Sequence, residues 1–517
     1  MDLTQKEFES ILSKFQDNKE LFNLEIDNFY LWSIVKENLF TKVLQRLYTG
    51  KKENILERVD FEKGKLIKQT IDFSASVLNF ILILLTKKTS KKKKLPLIIF
   101  FIYSNFRFKN KDGKQQHPFS DHLIGTNDLY NCYVVEGCHG YPTTKNVPYK
   151  SNLKEEVLYF PGYVLGRLFK YKSKNVSTLK SKLLKIILDS FQEYPQLLEI
   201  IKDEFDKGLI ERNVLKFRIQ KFLATALFKK LEPKCILLHS YQGHLGTIGA
   251  AKSLAIPVIE FQHGVMNSFT RTYNWTDKIK VDRAKLLIPD KIFVWGQYWK
   301  DQLLSGGFWR QEDIFPSGYH RFDLMRDKYK KDEKKKLKDS LTYLYTTAEP
   351  IKNEAINFFN DVLKLAEEKK VRINIWIKLH PSEGYSFEAY YELEKRYPDH
   401  CKVFKHADKD LYDLFNETDI HLSVWSATIF ESIGLGINTA ILNLPWHDYL
   451  QNLIDKSYVR FIKCPENLIV ISEMILDSAV YWNNWAQSTE TLGNYFFSND
   501  AIHNQKKYID SLLFTDH

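Results

Sequence analysis

Residues 235–264 read CILLHSYQGHLGTIGAAKSLAIPVIEFQHG, and this stretch decides the fold. The apolar run from Cys235 to Ser240 has the length and content of a strand buried on both faces. The small residues from Gly246 to Ala251 then suit a closely packed helix, and Ile256 to Gly264 is a second strand. Two strands joined through a helix must run parallel, because a parallel pair cannot be closed by a tight turn. The second strand ends in Glu260-Phe261-Gln262-His263-Gly264, where Gly264 is expected to permit a tight turn that exposes His263.

The same alternation extends both ways. Upstream, LPLIIFFIYSN (Leu95–Asn105) is a continuous apolar run, and YNCYVVEG (Tyr130–Gly137) is a further strand. Downstream lie KIFVWG (Lys291–Gly296) and DIFPSG (Asp313–Gly318). A charged segment near 325–339 then separates this half from a second series: LTYLYTT (Leu341–Thr347), RINIWIKLH (Arg372–His380), CKVFK (Cys401–Lys405), IHLSV (Ile420–Val424) and TAILNLP (Thr439–Pro445). Strands that alternate with helices imply a doubly wound parallel sheet, and two such series make a two-domain α/β protein with a cleft between the domains. The expected divisions are a helical extension over 1–95, one Rossmann-like domain over 96–325, a second over 340–490, and a helical tail over 491–517. Within the extension, Leu31, Ile34, Val35, Leu39, Val43 and Leu44 recur at helical spacing.

Composition narrows the class. With 517 residues, 44% hydrophobic and 27% charged, the chain is globular and too long for one ordinary core. Five scattered cysteines without a CxxC pair indicate neither a disulfide framework nor a zinc ribbon, so reduced thiols and a cytoplasmic protein are expected. The opening MDLTQKEFESILSKF lacks the pattern of a secretory signal. The most apolar segment, VLNFILILL (Val77–Leu85), falls short of the ~20 residues that a membrane-spanning helix needs. It is read as a buried helix end, with the lysines of KKTSKKKK (Lys87–Lys94) as a solvated loop. The other reading is a peripheral contact with the anionic inner face of the cell membrane. Ten Lys/Arg against one acid between Lys87 and Lys114 concentrate the net charge of +11, yet no nucleic-acid-binding pattern accompanies them. Nucleic acid is not expected as a partner.

In open α/β sheets ligands bind outside the carboxyl ends of the strands. That rule selects Thr346 and Thr347 at one exit, Lys378, His380 and Pro381 at another, and Ser423, Ser426, Thr428 and Glu431 at a third. Hydroxyls before a helix suit phosphate, with a lysine and a histidine to neutralise it without metal. The bland readings are an N-cap for Ser426, a loop histidine for His380, a turn for Pro381 and a solvated helix position for Glu431. In the first half, His263 is the leading general base, with Glu260 and Asp121 as the other candidates. His239, His244 and His263 match no familiar zinc spacing, so no metal and no cofactor is expected.

QHG (Gln262–Gly264), KLHP (Lys378–Pro381) and the set Ser423, Ser426, Thr428 and Glu431 together resemble bacterial surface-polysaccharide glycosyltransferases of the GT-B type. The similarity is to the capsule-type and sialyltransferase-like groups. PVIEFQHG, WGQYWKD (Trp295–Asp301) and IFPSGYHRFD (Ile314–Asp323) extend it over roughly residues 232–450. The resemblance implies a GT-B-like fold, a nucleotide-sugar donor (a CMP-sugar among the candidates) in the C-terminal domain, and a glycan or lipid-linked glycan acceptor in the N-terminal one. It implies that His380 and Pro381 meet the donor phosphate and that Ser423, Ser426 and Glu431 line the nucleotide pocket. The acidic motif that sialyltransferases of this kind use as a base is not located in this sequence. The leading expectation is an inverting, metal-independent transferase in capsule or O-antigen biosynthesis. The alternatives are a CDP-glycerol-type polyol-phosphate transferase, a nucleotide-sugar epimerase and a non-catalytic assembly protein, which fold-level analogy does not separate.

Overall fold

The computed structural model describes residues 5–49, 74, 77–86, 95–103, 107–109, 115–124, 129–137, 152–154, 157–158, 161, 173–267, 270–328, 339–348, 351–380, 388–405, 408–477 and 489–514. The lysine run 87–94, most of the charged segment 325–339, and Pro381 lie outside the described residues.

The chain divides into two compact units, each built on one parallel sheet. The first comprises Ile11–Val294, Lys300–His320 and Asp500–His517. The seven strands of its parallel sheet are β1 (Leu97–Tyr103), β2 (Asn131–Gly137), β3 (Leu153–Lys154), β4 (Cys235–His239), β5 (Val258–Phe261), β6 (Lys291–Val294) and β7 (Ile314–Pro316). They lie in the order β7-β6-β5-β4-β1-β2-β3 and every neighbouring pair is parallel. The second unit, chiefly Arg321–Asn499, holds β8 (Leu341–Thr346), β9 (Ile373–Lys378), β10 (Cys401–Phe404), β11 (Ile420–Ser423), β12 (Asn438–Leu442) and β13 (Arg460–Ile462). Its order is β10-β9-β8-β11-β12-β13, again wholly parallel. Counted within each unit, the second sheet runs 3-2-1-4-5-6, the Rossmann order, and the first runs the same with a seventh strand added beyond the sixth, so the fold is a pair of Rossmann-like domains.

The strands read as apolar runs because helices cover both faces. In β1 six of the seven residues are buried, and in β4 all five are. The N-terminal stripe of Leu31, Ile34, Val35, Leu39, Val43 and Leu44 is buried throughout its helix, Leu31–Thr49. The last helix, Ala501–Phe514, belongs to the first unit, where Tyr508 packs against Phe293 and Phe315 with ring centroids 5.2 and 4.9 Å apart. Edge strands β3 and β13, two and three residues long, were too short to be legible as runs.

Two expectations need correction. Residues 77–85 are helical, but they are not a buried helix end, because Leu78, Ile81, Leu82 and Leu85 are exposed. Gly264 does not adopt a left-handed conformation, and a Cβ there would meet nothing within 4 Å. The turn after β5 therefore has no steric need of glycine. Gly246 is the contrasting case. It opens the helix Leu245–Ser253 against the helix Leu209–Leu231, and a Cβ would lie 2.6–2.7 Å from Gln220 Cβ, Lys221 N and Phe217 O. The buried Gln220 amide serves the same junction, accepting from Gly246 N at 2.9 Å and donating to Gly243 O at 3.2 Å. It thereby fixes the loop that follows β4. Gly246→Ala should lower stability by about 1–3 kcal/mol, while Gly264→Ala should be nearly neutral. Urea unfolding of the two variants checks this, and equal midpoints would remove the packing argument.

Candidate functional site

In the second unit the strand order reverses between β8 and β11, and the residues at those exits are polar. Thr346, the last residue of β8, places its Oγ1 3.0 Å from Ser423 Oγ, His421 Nε2 and Thr428 Oγ1. His421 Nδ1 lies 2.9 Å from Ser432 Oγ, which in turn lies 2.8 Å from Thr439 Oγ1. Burial pushes His421 down to about 3, so the ring is neutral and one nitrogen donates while the other accepts. Thr346, Ser423 and Thr428 thus pin the helix Thr428–Gly434 to the two strands.

The neighbouring exit shows a similar division. Lys378, at the end of β9, is buried, and its ammonium donates to Lys405 O at 2.7 Å and Lys409 O at 2.5 Å. Desolvation lowers its pKa, with Asp410 and Asp408 opposing. The group clamps the loop after β10, a structural duty the phosphate reading did not foresee. Thr347 accepts from His380 N at 2.9 Å, and the His380 side chain is exposed. Ser426 accepts from Thr428 N at 3.3 Å and is half-buried. Glu431 is buried, not a solvated helix position. Desolvation raises it to about 7 against the opposing effects of Arg321 and the Tyr412 hydroxyl. The helix it sits on has only seven residues, so its dipole is short.

In the first unit the reversal falls between β1 and β4. Four imidazoles and two aromatic rings gather there. The His239 ring lies 5.0 Å from His263, 4.7 Å from Phe119, 6.0 Å from His117 and 5.7 Å from Tyr103. The Tyr103 hydroxyl is 2.9 Å from His244 Nε2. His263 is half-buried with its Nδ1 enclosed and unpartnered, and burial lowers it to about 4. His117 is likewise held well below its ordinary value, by burial and then by Arg107. Among the described residues no group of three or more His, Cys, Asp or Glu is arranged to hold a metal ion.

The other two base candidates occupy closed positions. Asp121 is buried and accepts from His117 N at 2.8 Å and from Arg107 at 3.2 Å, while Arg107 Nε also reaches Glu136 at 3.0 Å. This places Asp121 in a buried ion-pair triad that ties its loop to β2. Glu260 accepts from Tyr241 N at 3.0 Å and the Tyr273 hydroxyl at 2.9 Å, and its Oε2 has no partner among the described residues. Complete burial raises it to about 8, against those two hydrogen bonds, so it carries a proton at neutral pH.

No protein-family model and no curated protein matches the chain. Solved structures do align with it. A Listeria monocytogenes protein assigned as a UDP-N-acetylglucosamine 2-epimerase shares 13% identity, covering 82% of this chain and 98% of its own, with a TM-score of 0.48. The UDP-GlcNAc 2-epimerase from Neisseria meningitidis, bound to UDP-GlcNAc, shares 12% over 81% of this chain and 99% of its own, with a TM-score of 0.44. A glycosyltransferase from Rickettsia africae ESF-5 shares 12% over 82% of this chain and 100% of its own, with a TM-score of 0.42. No residue role is carried from them to this chain.

Several residues escaped the sequence reading. Trp425 and Trp446, at the exits of β11 and β12, are half-buried with ring centroids 4.9 Å apart. Trp446 holds a φ of 76°, costly for a bulky side chain. Arg321 donates to Asp410 at 2.9 Å and lies 4.9 Å from the Tyr412 ring centre. Tyr103, His117 and Phe119 were likewise unmarked, since only the fold brings them to His239. The strand-exit rule was the available signal, and it applies to Trp425 as well as to Ser426.

Two outcomes follow from the closed carboxyls. Asp121→Ala removes a buried acceptor of His117 N and Arg107 while Arg107 keeps Glu136, and should cost about 1–3 kcal/mol of stability in urea unfolding. Folded Glu260 keeps its proton up to about pH 8, whereas the unfolded chain releases it near its ordinary value of about 4.5. Folding therefore takes up a proton in that window, and the stability owed to Glu260 falls as pH rises from about 4.5 to about 8. Glu260→Gln should gain on the parent protein by a few kcal/mol across that window. Parallel stability–pH curves would show that Glu260 does not titrate there.

Proposed function

We propose that the chain is an enzyme acting on a nucleotide-activated sugar, whose donor sits at the β8/β11 switch point. The observation that carries this reading is the half-buried Trp425–Trp446 pair beside half-buried Ser426 and Thr428. An apolar ring surface next to hydroxyls suits a base or sugar ring joined to phosphate. Exposed His380 and the partly exposed Arg321 are the groups proposed to meet the phosphates. Lys378 is left out of the ligand set, because its ammonium already serves two carbonyls.

For the reaction, glycosyl transfer into a surface polysaccharide is the reading that the QHG and KLHP resemblance supports. His263 is its proposed base, as a neutral imidazole at the exit of β5 whose Nδ1 has no partner among the described residues. The acceptor oxygen would bond to the anomeric carbon, the bond to the nucleotide phosphate would break, and the acceptor proton would pass to His263. A second reading is epimerisation of the donor sugar. The neutral imidazoles His117 and His263, both within 6.0 Å of His239, are suited to removing and returning a proton at a sugar carbon without an acceptor.

UDP-, CMP-, CDP- and GDP-linked sugars incubated with the protein test both. Release of nucleotide that depends on an added glycan acceptor indicates transfer, and a changed sugar configuration without release indicates epimerisation. Binding of none of these donors would overturn the proposal. His380→Ala and Trp446→Ala should each weaken donor binding by about 1.5–3 kcal/mol at nearly unchanged thermal stability. His263→Asn should keep donor binding and lose roughly 10²–10⁴-fold in turnover. Normal turnover in His263→Asn would remove it as the base.

A further inference from the structure

The helix over residues 77–85 sorts its apolar side chains onto two faces. Phe80 is buried, Ile83 and Leu84 are half-buried, and the Asn79 amide donates to Asn152 O at 2.8 Å, so this face is anchored to the protein. On the opposite face Leu78, Ile81, Leu82 and Leu85 are 58%, 44%, 48% and 76% exposed. Their spacing of i, i+3, i+4 and i+7 sets them within about 100° of one another around the axis. Thr86 closes the helix, with its N and Oγ1 both donating to Leu82 O. Large aliphatic side chains exposed as a contiguous stripe mark an interaction surface more often than chance exposure.

We propose that this stripe docks on the surface of an anionic lipid bilayer. The occupant is chosen by charge and by length. Between Thr86 and Leu95 the sequence holds six lysines and no acid, so positive charge is covalently tied to the end of the stripe. An apolar face joined to lysines is the composition that lies in the headgroup region of anionic membranes. A second copy of the chain on the same face would oppose one lysine-rich sequence to another across a two-fold axis. The apolar run Val77–Leu85 is nine residues long, about 14 Å as a helix and less than half the hydrocarbon thickness, so the run is suited to lying on a bilayer. Among the described residues no helix is long and apolar enough to cross a membrane.

The test uses the whole chain and sedimented vesicles, either phosphatidylglycerol-rich or purely phosphatidylcholine, at about 0.05 M and about 0.5 M salt. The protein should bind the anionic vesicles, more weakly at high salt, and bind the zwitterionic ones far less. Ile81→Ser, Leu82→Ser and Leu85→Ser combined should lower anionic-vesicle binding on the order of ten- to a hundredfold. Because these side chains are exposed, the thermal midpoint should stay near that of the parent. Replacing Lys91, Lys92, Lys93 and Lys94 by glutamine should remove most of the salt dependence. Equal vesicle binding by the serine variant and the parent would overturn the proposal. So would a parent that binds neither vesicle, or a parent dimer in solution that the serine variant abolishes.

Discussion

A parallel strand must be followed by a crossover before the next can pair, and that constraint organises both halves of this protein. Every strand in each sheet therefore ends at one edge. Where the strand order reverses, two such exits diverge and leave a crevice between them. In the second unit the exits are Thr346 and Ser423, and in the first they are Tyr103 and His239. The positions of the candidate ligands follow from topology before any side chain is considered.

Burial then assigns protons. His421 at about 3 and His263 at about 4 are neutral because an imidazolium loses its hydration in the interior, and Glu260 at about 8 is neutral for the same reason with the sign reversed. The consequences differ by place. Neutral His421 acts as a donor–acceptor bridge between Thr346 and Ser432, holding a helix in position. Neutral His263 sits at the exit of β5 with an unpartnered Nδ1. Neutral Glu260 keeps Tyr241 and Tyr273 together without bringing a net charge into the first unit's core. Asp121 differs from all three, because Arg107 lies 3.2 Å away to pair with it.

The fold was legible because each long strand carries its own signature. LPLIIFFIYSN, CILLHS and TAILNLP are apolar on both faces, and the intervals between such runs hold helical spacing. The edge strands β3 and β13, two and three residues long, carry too little pattern to be seen, whereas β7 at the opposite edge of the first sheet was visible in DIFPSG. The helix at 77–85 was misread for a different reason. Its composition is almost wholly apolar, and composition alone does not distinguish a buried helix from one that offers a face to something outside the chain. Neither does the sequence show that Tyr103, His117 and Phe119 surround His239, since they are brought there from separate segments by the parallel pairing of β1 with β4.

The strand-exit residues singled out in the sequence divide by depth, and the division has a physical cause. Thr346, Lys378 and Ser423 are the final residues of their strands, where the pleat still directs side chains into the layers that cover the sheet. At that depth a hydroxyl or ammonium must be hydrogen-bonded within the protein, because an unmade bond in the interior costs more than a made one contributes. Thr346 and Ser423 accordingly bond to each other, and Lys378 bonds to two loop carbonyls. Two to three residues further on, His380 is exposed and Trp425 and Ser426 are half-buried. A polar side chain at that depth has water as an alternative partner, so a ligand can replace the water without leaving a buried group unsatisfied. The strand-end residues therefore fix the exits, and the residues just beyond them carry the aromatic surface and solvent-facing polar groups on which the proposed donor site rests.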